Sequence, residues 1–322
     1  MSVAKSILVT GAAGFIGSRF VEFCEMNELP VISVDHLPYF NERLELKGLK
    51  QETKIDREGL FEFLRESKPA LSVIIHLGAC ARTTELDEGI LNHLNLEYSK
   101  KLWKYATQNQ IPYYYASSAA TYGDGGRGYD DDETRLADLL PLNPYGFSKH
   151  HFDLWALDQE SQGFSPPKWS GFKLFNVYGF GERHKGDMSS VVLKAFDQIQ
   201  ATGTVKLFKS YRPDIHDGEQ RRDFISVEDV VDVFWCAWKN HWPRGIYNLG
   251  TGEARSFLDL VHAVFKAMHL PPKVEFIDMP DGLEARYQYF TQSTTEKLRR
   301  SGWDEPFTTL ETGVARYVEK LL

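Results

Sequence analysis

Short apolar runs alternate along this chain with longer segments whose apolar residues recur at helical spacing. SILVT (6–10) is a continuous apolar run of strand length, and VISVD (31–35), SVIIHLG (72–78) and PYYYASS (112–118) repeat the pattern. GFKLFNVYG (171–179) reads as a strand running into a loop. Residues 15–26 and 144–160 read as helices, and NLEYSKKLWKYATQ (95–108) puts Leu96, Ser99, Leu102, Trp103 and Ala106 at helical spacing. Strands alternating with helices predict an α/β fold of Rossmann type, a doubly wound parallel sheet with helices on both faces.

The pattern loosens after about residue 180. SYRPDIHDGEQRRDF (210–224) is polar and reads mostly as loop; a helix at 227–240, a short strand IYNL (246–249) and a helix at 256–268 follow. This predicts a dinucleotide-binding domain over residues 1–180 and a smaller C-terminal α/β substrate domain over 181–322, with a soft boundary that the chain can cross more than once. YDDDE (129–133) reads as a solvated acidic loop.

Composition narrows the class. At 322 residues, 42% hydrophobic and 25% charged, the chain has the make-up of a soluble globular protein with ample length for a core. A net charge of −8 without a Lys/Arg-rich run argues against a nucleic-acid partner. Cys24, Cys80 and Cys236 are odd in number and form no Cys-x-x-Cys pair, so the expectation is free thiols in a reducing compartment and no metal site. MSVAKSILVTGAAGFIG lacks the layout of a secretory signal, and no apolar stretch approaches 18 residues. A cytoplasmic protein without a membrane partner is expected.

Two stretches carry candidate chemistry. TGAAGFIG (10–17) follows a predicted strand and opens a predicted helix, with Gly11, Gly14 and Gly17 spaced G-x-x-G-x-x-G. The first glycine permits a tight turn, the second lets backbone approach a pyrophosphate, and the third allows close packing of helix on strand. Free amides and the helix dipole then favour the pyrophosphate. Asp35, at the end of the next strand, suits a ribose diol and so NAD; His36 and Arg43, close behind, suit a 2′-phosphate and so NADP. Local chemistry leaves that choice open.

In NPYGFSKH (143–150), Tyr145 and Lys149 are four residues apart and share a helix face. A free phenol titrates near pH ~10 and is a poor base. A neighbouring ammonium and a cationic nicotinamide ring both favour the phenolate. Lys149 can also reach the cofactor ribose, and Ser118, at the end of its strand, can bond the substrate alcohol as its proton leaves.

TGAAGFIG, HLGA (76–79), ASSAATYG (116–123), PYGFSK (144–149) and FNVYG (175–179), in that order, resemble the extended short-chain dehydrogenase/reductase family, the NAD-dependent epimerases and dehydratases. HLGACARTTE (76–85), FNVYGFGERHKGDMSS (175–190), QRRDFISVEDV (220–230), YNLGTG (247–252) and ARYQYFTQ (285–292) resemble, more narrowly, the ADP-L-glycero-D-manno-heptose 6-epimerases. That resemblance implies inversion of C6 of an ADP-heptose for lipopolysaccharide core synthesis, by transient oxidation to a ketone and hydride return, with tightly held NADP (NAD possible) and assembly as a homo-oligomer. It implies Tyr145 and Lys185 as acid/bases on opposite faces of the sugar, with Ser118 beside the reacting alcohol and Lys149 tuning and orienting. It also implies that Phe15 and Ile16 sit in the phosphate loop, that Gly78, Ala79 and Cys80 line the nicotinamide, and that Asn95 and Val177 lie near it. Substrate contacts fall to Asn176, to Phe208, Lys209, Ser210 and Tyr211, and to Arg222 and Tyr287 around the diphosphate.

The chain departs from that family at several positions. Asp187 stands where a serine is usual and Lys194 where a histidine is usual; the resemblance implies substrate contacts at both positions. A carboxylate at Asp187 either raises the pKa of Lys185 and alters substrate contacts or turns outward. The loop RPDIHDGEQ (212–220) is long, and Asp35-His36 replaces the usual Asp-Asn. Two other readings compete. One is a UDP-hexose 4-epimerase or related sugar-nucleotide enzyme, which does not need Lys185. The other is a non-catalytic dinucleotide-binding regulator, which would have lost Tyr145 or Lys149. Ala119 and Ala120 after Ser118 argue against a dehydratase, which places an acid pair there.

Overall fold

The computed structural model describes residues 5–280, 282, 284 and 287–322. The apolar runs become β1 (Ser6–Thr10), β2 (Val31–Asp35), β4 (Leu71–His76), β5 (Tyr113–Ser118) and β6 (Trp169–Leu174), and the mixed segment Thr53–Asp56 adds β3. Six more strands follow: β7 (Asn176–Tyr178), β8 (Val205–Phe208), β9 (Arg221–Ser226), β10 (Gly245–Leu249), β11 (Ala254–Ser256) and β12 (Val274–Ile277).

The main sheet has seven strands in the order β10-β6-β5-β4-β1-β2-β3, all pairs parallel. The chain winds outward from β1 through β2 to β3, then restarts at β4 on the other side of β1. The carboxyl ends of β1 and β4 therefore bound the crevice where such sheets hold ligands.

Alternation along β1 explains the layers. Ile7 and Val9 face a core with Phe20 and Val21 of the helix Phe15–Met26 and Val230 and Phe234 of the helix Val227–Lys239. Leu8 faces the other side, with Leu60, Leu102, Trp103 and Phe152. Each such fully buried side chain contributes about 1.5–3 kcal/mol. A third core joins the helices Val191–Thr202, Phe257–Ala267 and Leu310–Leu321 to β8 and β9.

Three local features differ from the sequence expectation. The helix read at 95–108 begins as a π-helical turn, Asn92–Glu97, before the α-helix Tyr98–Gln108. The strand read at 171–179 breaks at Phe175: β6 stays in the main sheet and β7 leaves to pair with β9. The end of the polar segment 210–224 is not loop but β9, because Asp223, Phe224 and Ile225 are buried between β7 and β11. Past residue 180 the chain also returns to the main sheet, where β10 pairs along all of its length with β6. Among the described residues no helix is long and apolar enough to cross a membrane, and no cluster of potential metal ligands occurs.

Candidate active site

The glycine loop closes tightly at the end of β1. Gly11 has φ +69°, and a Cβ there would lie 2.7 Å from the Gly78 nitrogen, so the loop and the end of β4 touch backbone to backbone. A Cβ on Gly17 would lie 2.0 Å from the Gly11 carbonyl oxygen. Gly14 caps the helix from Phe15 without a side chain, so the first-turn amides of Phe15, Ile16 and Gly17 face the crevice as an anion site. These features fit a dinucleotide pyrophosphate.

At the end of β2, Asp35 accepts the amide of Ala13 (3.0 Å) on one oxygen and that of its neighbour His36 (2.8 Å) on the other. Burial raises its pKa, opposed by those two amides and by Arg43. Arg43 donates to the Ala13 carbonyl and stacks 3.9 Å from the centroid of Tyr39. His36 packs edge-on to Tyr39 and lies 3.7 Å from Asp56. A carboxylate and a guanidinium thus share this end of the crevice.

Beyond Gly78 a buried hydrogen-bond chain joins four elements. Gly78 N–H donates to Thr10 Oγ1 (3.2 Å), which meets His76 Nδ1 at 2.6 Å. His76 Nε2 meets Ser99 Oγ at 2.7 Å, and that hydroxyl donates to the Asn95 carbonyl at 2.7 Å. Since Ser99 donates onward, His76 carries its proton on Nε2 and accepts from Thr10 on Nδ1. Burial, with the Lys149 charge, pushes the imidazole pKa down to about 3, which keeps it neutral. The π-helical turn aims the Asn95 amide at Cys80, accepting its N–H at 2.8 Å and donating to its carbonyl at 3.1 Å. Asn95 also donates to Ser148 (2.9 Å), which donates to the Tyr145 carbonyl (2.7 Å). The turn Gly78-Ala79-Cys80 is thereby tied to the helix carrying Tyr145 and Lys149.

That helix, Pro144–Ser161, starts with Pro144 at its first position and the Asn143 side chain accepting from Gly146 N at 2.8 Å. Tyr145 and Lys149 are both buried on its inner face. Burial raises the phenol pKa, and a hydrogen bond with Ser118 pulls it back. Lys149 donates to the Ala116 carbonyl at 2.9 Å, and burial drops its pKa to about 8. Ser118 caps the turn after β5, accepting from Ala120 N at 3.1 Å.

Lys185 lies in the segment Arg183–Met188, which kinks at Gly186 (φ +53°). Its ammonium sits 5.1 Å from the centroid of Phe15, the first residue of the glycine-loop helix, and 3.8 Å from Glu182. Burial lowers its pKa, Glu182 opposes that and Lys194 adds to it. Asp187 is exposed, so the carboxylate acting on Lys185 is Glu182 and not Asp187. Lys194 is also exposed and donates to the Asp187 backbone carbonyl at 2.7 Å.

On the far side of the cleft, Tyr287 packs edge-on to Phe208, with ring centroids 6.4 Å apart, and the Arg222 guanidinium lies 5.4 Å from its centroid. Arg222 is buried; it donates to the carbonyls of Arg221 and Gln288, which leaves further N–H groups for an anion. Ser210 N donates to Asp217 at 2.6 Å, within the long loop. Lys209 and Tyr211 both bond Asp278, so they reach the same carboxylate. Asn176 is exposed at the start of β7, and Val177 pairs with Ile225 of β9. Ala285 and Arg286, which open the ARYQYFTQ motif, lie outside the described residues.

Residues 7–250 match the NAD dependent epimerase/dehydratase family. The chain belongs to that family. Among relatives of this epimerase/dehydratase chain, the ADP-L-glycero-D-manno-heptose-6-epimerase of Fusobacterium nucleatum is 44% identical over 327 residues, covering 98% of each chain. The crystal structure of the Helicobacter pylori ADP-L-glycero-D-manno-heptose-6-epimerase superposes with a TM-score of 0.80 at 28% identity, covering 98% of this chain and 96% of that one. The UDP-glucose 4-epimerase of Thermus thermophilus, in complex with NAD, gives 0.75 at 26% identity, with 98% of each chain covered. A nicotinamide dinucleotide is thus the cofactor class of this epimerase/dehydratase fold.

Several residues around the site escaped sequence reasoning. Glu182 was visible only as part of ERHKG. Glu45 accepts the His184 N–H at 2.9 Å and ties the Lys185 segment to the turn after Arg43. Thr10 and His76 stood inside TGAAGFIG and HLGA without a role of their own, and Ser99 belonged to no motif.

Proposed function

We propose that this protein inverts C6 of ADP-D-glycero-D-manno-heptose to give the L-glycero epimer. The observation that carries the reading is the placement of Lys185. Its ammonium turns onto the first residue of the glycine-loop helix, while Tyr145 approaches with the turn after β5. The full-length likeness to the Fusobacterium enzyme supports the same substrate.

The hydrogen on a secondary carbinol carbon is not acidic, so inversion runs through a ketone. A bound nicotinamide dinucleotide supplies the acceptor and later the donor of the hydride. Tyr145 takes the alcohol proton on one face, helped by the Ser118 hydroxyl and the Lys149 charge. Lys185 delivers a proton to the oxygen when the hydride returns on the other face. Arg222, with Tyr287 and Phe208, holds the diphosphate and adenosine. Asn95 and its chain keep the Gly78–Cys80 turn fixed, the turn that would line the nicotinamide. The cofactor is NADP: both Asp35 oxygens already accept backbone N–H groups, and Arg43 stands beside them for a 2′-phosphate.

The test is incubation of the purified protein with each heptose epimer without added nicotinamide, together with mass spectrometry of the cofactor released on denaturation. Interconversion to one equilibrium mixture supports the reading. Turnover of UDP-hexoses with none of the heptose would replace it by the 4-epimerase reading.

A further inference from the structure

Lys185 needs something to hold its charge where the sugar oxygen will be. The side chain of Glu182, one turn earlier, has no exposed surface, yet nothing in the proposed chemistry uses it. Ser190 gives it two hydrogen bonds, the amide to Oε2 at 2.7 Å and the hydroxyl to Oε1 at 2.5 Å. The Tyr317 phenol, from the helix Leu310–Leu321, lies close to it, and the carboxylate charge helps to raise the phenol pKa. A buried carboxylate needs a counter-charge. Among the described residues the one cation paired with Glu182 is Lys185, 3.8 Å from Oε2. The backbone repeats the connection: Lys185 N–H donates to the Glu182 carbonyl at 2.9 Å.

We propose that Glu182 is the positioning residue of the second acid/base: anchored by the two hydrogen bonds from Ser190, it holds the Lys185 ammonium between itself and Phe15 and keeps the proton on that nitrogen until the ketone oxygen takes it. Glu182 touches neither sugar nor cofactor. In the transfer, the Lys185 N–H bond breaks and an O–H bond forms as hydride reaches carbon; the amine recovers its proton in the next turnover from the opposite epimer or from water. The other groups facing Lys185 are the Phe15 ring and the Lys194 charge, and those around Glu182 are Ser190 and Tyr317, with Arg183 and Asp197 behind Tyr317. Lys194 acts against the proton and Glu182 for it. Glu182 is the nearer group by contact: among the described residues it is the carboxylate that pairs with the ammonium.

This inference rests on Lys185 being an acid/base. The experiment is the pH profile of epimerisation for the wild type, Lys185→Ala, Glu182→Gln and Glu182→Asp, with KM, released cofactor and thermal midpoint measured alongside. Lys185→Ala is expected to abolish turnover while retaining cofactor. Glu182→Gln keeps an oxygen for the Ser190 amide but removes the charge. It is expected to move the limb belonging to Lys185 down by about one pH unit or more, since an opposite charge at this range favours the charged lysine by that much. KM and cofactor content are expected to hold. If Lys185→Ala is inactive and Glu182→Gln keeps the wild-type limb, Glu182 is merely structural and the inference fails alone. If Lys185→Ala turns over normally, the acid/base reading falls and takes this inference with it. Should Glu182→Gln not fold, Glu182→Asp withdraws the charge by one methylene. Its limb is expected to move in the same direction by less, and an unmoved limb overturns the inference.

Discussion

The Lys173 ammonium lies 3.0 Å from a carboxylate oxygen of Asp153, and neither side chain has any exposed surface. Asp153 also accepts the hydroxyls of Tyr115 (3.0 Å) and Ser117 (2.7 Å), while Lys173 donates to Thr121 at 2.6 Å. Thr121 in turn donates to the Ser118 carbonyl at 2.9 Å. The pair therefore underlies the turn that presents Ser118 to Tyr145. Removing one partner strands the other charge. Asp153→Ala is expected to lower stability by about 3–5 kcal/mol in urea denaturation, and replacing both residues by apolar ones of similar volume by much less. Equal losses would show that the charge is not what matters.

Tyr145→Phe is expected to reduce turnover by about a hundredfold to ten-thousandfold while leaving cofactor content unchanged. The more telling variant is Ser118→Ala. Burial raises the Tyr145 pKa and the Ser118 hydrogen bond lowers it. Loss of that bond is expected to push the Tyr145 limb of the pH profile to higher pH, with activity at neutral pH falling accordingly. A limb that stays in place would separate Ser118 from the phenol.

Arg43→Ala is expected to weaken NADP by about tenfold to a hundredfold, the worth of one charge-assisted hydrogen bond, and to change NAD little. Titration calorimetry on protein stripped of cofactor reads both. Equal losses for the two dinucleotides would mean that Arg43 serves the glycine loop through the Ala13 carbonyl and not a 2′-phosphate.

His76 gives the protein a pH dependence of stability. Burial holds its folded pKa at about 3, below the ordinary 6.5. Between those values the unfolded chain binds more protons than the folded one, so this contribution is fully present above pH 6.5 and is lost as pH falls towards 3. His76→Gln is expected to be less stable than wild type at pH 8 and to lose less further stability between pH 7 and pH 4. Parallel stability curves would remove His76 from the acid sensitivity.

The first half of the fold was legible because its signals are local. β1, the glycine turn and the helix after it follow from contiguous residues, and so do the cap and inner face of the helix that carries Tyr145 and Lys149. What was missed depends on distant partners. Glu182 is buried by Ser190 and by Tyr317 from the last helix, which no local pattern reports. For Asp187 the sequence left two alternatives, a carboxylate acting on Lys185 or one turned outward; the positive φ of Gly186 breaks the helical path between the two residues, and Asp187 is exposed. Asn95 was named only through the family resemblance, because the local spacing gives no sign of the π-helical turn that carries it. The short strands β3, β8 and β12 carry alternating polar residues such as Lys54, Lys206 and Glu275, too few and too mixed to stand out from loop.

The strand β10 bears on how the molecule is made. Its five residues close the edge of β6, and Tyr247 and Leu249 fill the core beside Phe172. During synthesis the nucleotide-holding half emerges from the ribosome long before this strand does. Until residue 249 arrives, that half has an open hydrogen-bonding border and an incomplete interior. The nascent chain is therefore exposed to wrong pairing over a defined interval, and a cut between β7 and β10 yields a piece that cannot finish its own sheet.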